Sequence, residues 1–219
     1  WCTQKCPYCD FNSHEGFTPD LQGPYVTALL QDFDSQLQGI EGRIVESIFI
    51  GGGTPSLFSG EWIQRLLSEL AERIPFAPAA EITLESNPGS AERGRYQSYV
   101  EAGVTRLSIG VQSFNDDALR RLGRIHSGDD ARQALHLAST TGFNNWNIDL
   151  MHGLPEQTAE TAAADLSEAL ALSAGHISWY QLTIERNTRF WTSQPLLPDE
   201  RTLHSIQSTG EQLLHHADY

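Results

Sequence analysis

Five short runs rich in β-branched and aromatic residues recur along this chain, each separated from the next by a longer stretch with helical spacing, and that rhythm leaves few folds open. The runs "ESIFIGGG" (46–53), "EITLES" (81–86), "TRLSIGVQ" (105–112), "NWNIDLMHG" (145–153) and "HISWYQLTI" (176–184) read as strands. The stretches 60–74, 90–103, 127–142 and 158–173 read as helices, and 20–39 reads as a further helix ahead of the first strand. Ser90 and Ser127 are expected N-caps, and Gly103 and Gly142 stand where a helix should stop. Short strands joined by helices make βα units and a parallel sheet. Spacing alone leaves two architectures, an open doubly wound sheet and a partial (β/α) barrel.

The polar residues in the strands narrow the function. "GGGTPS" follows the first run, Glu85 ends the second, Gln112 the third and Asp149 the fourth. In parallel β/α folds the C-terminal strand ends share one face, and that face holds the active site. A turn or a cap would explain any one of these residues, but four in series point to a common polar rim.

Charge excludes one class of partner. Acidic residues outnumber basic ones by 28 to 14, so the surface repels phosphate backbones and nucleic acid is not expected as a partner. No apolar run reaches the ~20 residues that span a bilayer, so no transmembrane segment is expected. The three cysteines do not form the paired set of a secreted disulfide scaffold, which favours a reducing, cytoplasmic setting.

Those cysteines, Cys2, Cys6 and Cys9, fall within "WCTQKCPYCDFNSH" in the spacing C-x3-C-x2-C. A redox pair would need only Cys6 and Cys9, and a zinc site would recruit His14 as a fourth ligand. An iron–sulfur cubane takes four ligands, and three thiols would leave one iron open to a small molecule.

With Tyr8 before the last cysteine, the motif resembles that of the radical S-adenosylmethionine (SAM) superfamily. "GGGTPS" (51–56), "TLESNP" (83–88), "RLSIGVQSF" (106–114), "LGRIHS" (122–127), "NIDLMHGLP" (147–155) and "SWYQLTIE" (178–185) resemble, in order, motifs of its oxygen-independent coproporphyrinogen III oxidase group. The resemblance implies a partial (β/α) barrel. It also implies a [4Fe–4S] cluster on Cys2, Cys6 and Cys9 whose open iron chelates SAM, and an electron donor that reduces the cluster so that SAM is cleaved to a deoxyadenosyl radical. The implied SAM contacts are Tyr8, Gly52, Gly53, Thr54, Glu85, Gln112, Arg124, Asp149 and, through its backbone position, Thr183.

The group has two branches. Decarboxylating enzymes carry a fourth cysteine two residues after the third, where this chain has Phe11. "CPYCDFNSH" instead resembles the heme-chaperone branch, which binds heme as cargo and passes it to acceptor proteins. A chaperone is therefore the leading expectation, and an oxidase acting on a porphyrinogen is the alternative. Residues 1–219 are read as the core domain, with an upstream strand and a C-terminal domain expected outside them.

Overall fold

The computed structural model describes every residue except 41, 90–93, 144 and 173. Its centre is a single parallel sheet of five strands in sequential order, β1 (Val45–Ile50), β2 (Phe76–Ser86), β3 (Arg106–Gln112), β4 (Asn145–His152) and β5 (His176–Gln181). The sheet curls into a half-barrel with helices around its outer surface, so the barrel expectation stands and the open doubly wound alternative does not.

The helices are α1 (Gln22–Gln36), α2 (Gly60–Arg73), α3 (Tyr96–Glu101), α4 (Asp116–Arg121), α5 (Gly128–Thr141), α6 (Ala159–Ala171), α7 (Arg189–Ser193) and α8 (Glu200–His216). Ser127 caps α5 by accepting from the Asp130 amide, while the Asp130 side chain bonds back to the amide of Ser127. Gly142 closes the same helix in the left-handed region, with φ 101°. Gly103 follows α3 with φ 99°, and the expected cap at Ser90 lies outside the described residues.

Three strands differ from the sequence reading, and β1 ends at Ile50, ahead of the glycines, rather than at 53. β2 begins at Phe76 rather than at 81, and its register on β1 slips between Val45 and Ser47. Pro78 lies in that irregular stretch, where a missing N–H is tolerated at a bulge. β5 ends at Gln181 instead of running to 184, although the Leu182 amide still donates to the His152 carbonyl at 2.8 Å.

Alternation along the strands divides the molecule. Leu84, Leu107, Ile109, Ile148 and Leu150 are fully buried and face the helices, where they meet Ile63, Tyr99, Ala134 and Leu166 in the main core. The intervening positions turn to the concave side and are largely polar. Strand register sets Glu85 beside Ser108, Ser108 beside Asn147, and Asp149 beside Ser178. A parallel sheet usually buries two apolar faces, so a polar concave face marks that side for something other than packing.

Candidate functional site

One cavity of about 530 Å3 opens on the concave side, and all twelve residues singled out from the sequence line it. Cys2, Cys6, Cys9 and Tyr8 come from the N-terminal loop, and Gly52, Gly53 and Thr54 from the turn after β1. Glu85, Gln112 and Asp149 come from strands β2, β3 and β4, Arg124 from the turn before α5, and Thr183 from beyond β5.

The cysteine loop is a closed structure held by its own backbone. The Cys2 amide donates to the His14 carbonyl at 2.9 Å, and the Cys9 amide donates to the Cys6 carbonyl at 3.2 Å. Lys5 Nζ donates to the Phe11 carbonyl at 2.7 Å, while the Lys5 amide donates to Glu15 Oε1 at 2.8 Å. Two backbone hydrogen bonds help dock the loop on the barrel. The Thr54 amide donates to the Trp1 carbonyl at 2.6 Å, and the Phe190 amide donates to the Pro7 carbonyl at 2.9 Å.

The first docking point explains a glycine. A Cβ on Gly53 would lie 2.4 Å from the Trp1 carbonyl oxygen, so the glycine motif lets the cysteine loop seat against it. The sequence reading assigned these glycines to close approach of a ligand. Gly53 also serves close approach of the chain to itself.

The three thiols are free and half-buried. Burial pushes the Cys9 thiol up and the neighbouring Cys6 and Cys2 push it further, against the Phe11 backbone N–H and Lys5. Among the described residues no three His, Cys, Asp or Glu side chains converge on a single metal position, and His14 is exposed. Tetrahedral zinc, with Zn–S near ~2.3 Å, needs its donors gathered tightly around one point. Three thiols lining one cavity would suit an iron–sulfur cluster held by cysteine thiolates.

The carboxylates sit deeper. The Gly52 amide donates to Glu85 Oε2 at 3.0 Å. Asp149 accepts from Ser108 Oγ at 3.0 Å and from Asn147 Nδ2 at 2.7 Å, and Asn147 accepts from Ser178 Oγ at 3.1 Å. Burial raises the pKa of both acids. The Gly52 N–H opposes this at Glu85, and the Ser108, Asn147 and Ser178 side chains oppose it at Asp149. Their mutual repulsion adds to the rise at Glu85.

Gln112 ends β3 in the left-handed region, with φ 66°, and accepts from the Tyr180 hydroxyl at 2.9 Å. Burial raises the Tyr180 pKa, so this phenol remains a neutral donor. Tyr8 is neutral for the same reason and packs on Phe190, with ring centroids 6.3 Å apart. Thr183 turns its hydroxyl to Glu185 Oε1 at 3.1 Å, away from the role of a side-chain ligand and in keeping with a backbone one.

Sequence reasoning missed Asn87, Ser108, Asn147, Ser178 and Tyr180. Strand periodicity held the signal, because Ser108, Gly110 and Gln112 alternate with apolar residues on β3, and Ser178 and Tyr180 do so on β5. Among the described cavity residues Arg124 is the one cation, against Asp10, Glu85, Asp149 and Glu185.

Comparison with known proteins agrees with this geometry. Residues 1–169 match the family model of the Radical SAM superfamily. The chain is 53% identical over 223 residues to the heme chaperone HemW of Haemophilus influenzae and 52% identical over 221 residues to that of Escherichia coli. Each alignment covers 100% of this chain and 58% of the relative, so the chain spans little more than half of the curated relatives it matches. Coproporphyrinogen III oxidase (HemN) from Escherichia coli superposes with a TM-score of 0.88 at 28% identity, over 99% of this chain and 50% of that one. Elp3 of Methanocaldococcus infernus shares the fold at a TM-score of 0.64 and 20% identity. With its family model matched over most of its length and its cysteine loop facing the polar side of a parallel half-barrel, the chain belongs to the radical SAM superfamily.

Proposed function

We propose that this chain is the core domain of a heme chaperone of the HemW type, holding a [4Fe–4S] cluster and SAM and handing heme to acceptor proteins. Cys2, Cys6 and Cys9 would hold the cluster. Glu85, Gln112, Arg124, Asp149 and Tyr8, with the Gly52–Thr54 backbone and Thr183, would hold SAM. When bound, that pair supplies one-electron chemistry. The protein's own part is to orient and desolvate. Glu85 and Asp149 offer acceptors for an ammonium or for ribose hydroxyls, and the burial of Tyr8 and Tyr180 keeps both phenols protonated. Three unpaired thiols suit a reducing compartment such as the cytoplasm. Among the described residues no helix is long and apolar enough to cross a membrane.

The observation that carries the chaperone reading over the oxidase is the charge of the cavity. Coproporphyrinogen III brings four carboxylates where heme brings two, so a wall with four acids and one cation among its described residues opposes the porphyrinogen more strongly. Phe11 supports the same choice, because it stands at the cavity wall where the decarboxylating branch has a further cysteine. The similarity to HemW over the full chain supports it again. The test is anaerobic reconstitution of the full-length protein, followed by heme titration and chromatography after incubation with coproporphyrinogen III, SAM and reductant. Stoichiometric heme binding with transfer to an apo-acceptor and no protoporphyrinogen is expected. Protoporphyrinogen at catalytic turnover would promote the oxidase.

A further inference from the structure

Arg124 follows α4 and reaches back beneath the cysteine loop. Its Nη1 donates to the Cys6 Sγ at 3.5 Å. Its Nη2 donates to Asn87 Oδ1 at 2.6 Å and to the Gly110 carbonyl at 2.9 Å. Asn87 in turn donates to Thr54 Oγ1 at 3.0 Å, so the guanidinium is fixed by β3, by the turn after β2 and, through Asn87, by the glycine motif. The remaining nitrogen, Nε, is buried without a partner. Among the described residues, Cys6 is the thiol whose sulfur accepts a hydrogen bond from a cationic side chain. The sequence reading gave Arg124 a ligand carboxylate as its partner, whereas the geometry aims one edge of it at a cluster ligand.

We infer that Arg124 sets the reduction potential of the cluster held by Cys2, Cys6 and Cys9, through an N–H···S hydrogen bond to the Cys6 sulfur from a guanidinium clamped by Asn87 and Gly110. The inference rests on the cluster reading above. Hydrogen bonds to the sulfurs and local charge are the main levers a protein has on such a potential. Reduction places one more electron on the cluster and its thiolates. A donor that carries a permanent positive charge stabilises the reduced state more than the oxidised one, and so raises the potential. Two bonds to fixed acceptors hold the guanidinium in place before the electron arrives, so little reorganisation is required. Arg124 is thereby a positioning and tuning residue toward the cluster, distinct from any group that touches a reacting atom.

The test uses the anaerobically reconstituted full-length protein without SAM, so that a carboxylate contact contributes nothing. Iron and sulfide content, circular dichroism and a potentiometric titration followed by electron paramagnetic resonance are measured for wild type, Arg124→Gln and Arg124→Lys. Both variants should fold and load a full cluster. In Arg124→Gln the one-electron equilibrium should move roughly tenfold toward the oxidised state, a fall of about 59 mV. Arg124→Lys, which keeps the charge and loses the fork, should fall by less. Arg132→Gln, which removes a surface pair with Glu168 and Asp129, should leave the potential unchanged. A loaded Arg124→Gln protein with the wild-type potential would overturn the inference. So would folded variants that both fail to load, since Arg124 would then serve assembly instead. A wild-type protein that takes up no cluster would sink the cluster reading itself.

Discussion

The amide of Gly52 donates to Oε2 of Glu85 across 3.0 Å, which ties the turn after β1 to the side chain that β2 sends into the cavity. The approach is close because residue 51 is also glycine. A Cβ there would lie 3.0 Å from the Glu85 carboxyl carbon. The motif therefore presents a carboxylate at a set position, and burial of that carboxylate has a consequence for pH dependence.

Glu85 and Asp149 both have pKa values raised by burial, so in the folded protein they hold protons to higher pH than in the unfolded chain. Their contribution to stability is fully present below the unfolded carboxylate range, about 4, and is lost as pH rises through the raised folded values. The cofactor-free protein should thus melt at a higher temperature in mild acid than at neutrality, as far as these two groups decide it. Glu85→Gln should raise the neutral-pH melting temperature and flatten the profile. A variant with the wild-type slope would place the pH dependence elsewhere.

Ligand binding should respond in the opposite sense. Glu85→Ala and Asp149→Ala should each weaken SAM binding about ten- to a hundred-fold, the worth of one charge-assisted hydrogen bond at ~1.5–3 kcal/mol, with iron content unchanged. Asp149→Asn should cost less than Asp149→Ala, since it keeps a partner near Ser108 and Asn147. Equilibrium binding on the reconstituted protein measures both. Wild-type affinity in the two alanine variants would mean that SAM sits outside this cavity.

Gly53→Ala tests how the cysteine loop is seated. The added methyl would meet the Trp1 backbone at 2.4 Å, and backbone cannot rotate aside as a long side chain can. The loop should lift from the Thr54 amide, with a loss of cluster loading and about 1–3 kcal/mol of stability. Thermal melting read beside iron content separates the two effects. Full loading and an unchanged melt would show that the docking contact is dispensable.

Much of this site was legible in the sequence because its residues obey local rules. Period-two alternation on β3 and β4 places Gln112 and Asp149 on the polar face, and a glycine run after a strand marks a turn of close approach. Other parts depend on contacts between residues far apart in the chain. Asp165 lies on the inner side of the alanine-rich helix α6, where spacing predicts an apolar residue. It is buried because it accepts from Ser113 Oγ at 2.6 Å and from the Phe114 amide at 2.8 Å, holding the turn that follows Gln112. The helices α7 and α8 went unread because the sequence beyond 184 offers caps, Thr188 and Asp199, without a preceding strand to frame them. Arg124 lines the cavity as the sequence suggests, but nothing local reveals that Cys6 also lies within its reach.

Phe11 gives the most direct test of the choice between chaperone and oxidase. Its side chain is 54% exposed at the cavity wall, while its carbonyl is engaged by Lys5, so the ring is presented and the backbone beneath it is fixed. A flat apolar ring at the mouth suits contact with a macrocycle face. It neither donates nor relays hydrogen. Phe11→Cys would place a thiol at that point without changing the four acids and one cation among the described cavity residues. The full-length Phe11→Cys protein should therefore keep its cluster and still form no protoporphyrinogen from coproporphyrinogen III, as judged by chromatography after anaerobic incubation with SAM and reductant. Phe11→Ala should weaken heme binding several-fold in a heme titration, because it removes aromatic contact worth about 0.5–1.5 kcal/mol. Porphyrin product from Phe11→Cys would show that one thiol decides the activity and that the charge of the cavity does not.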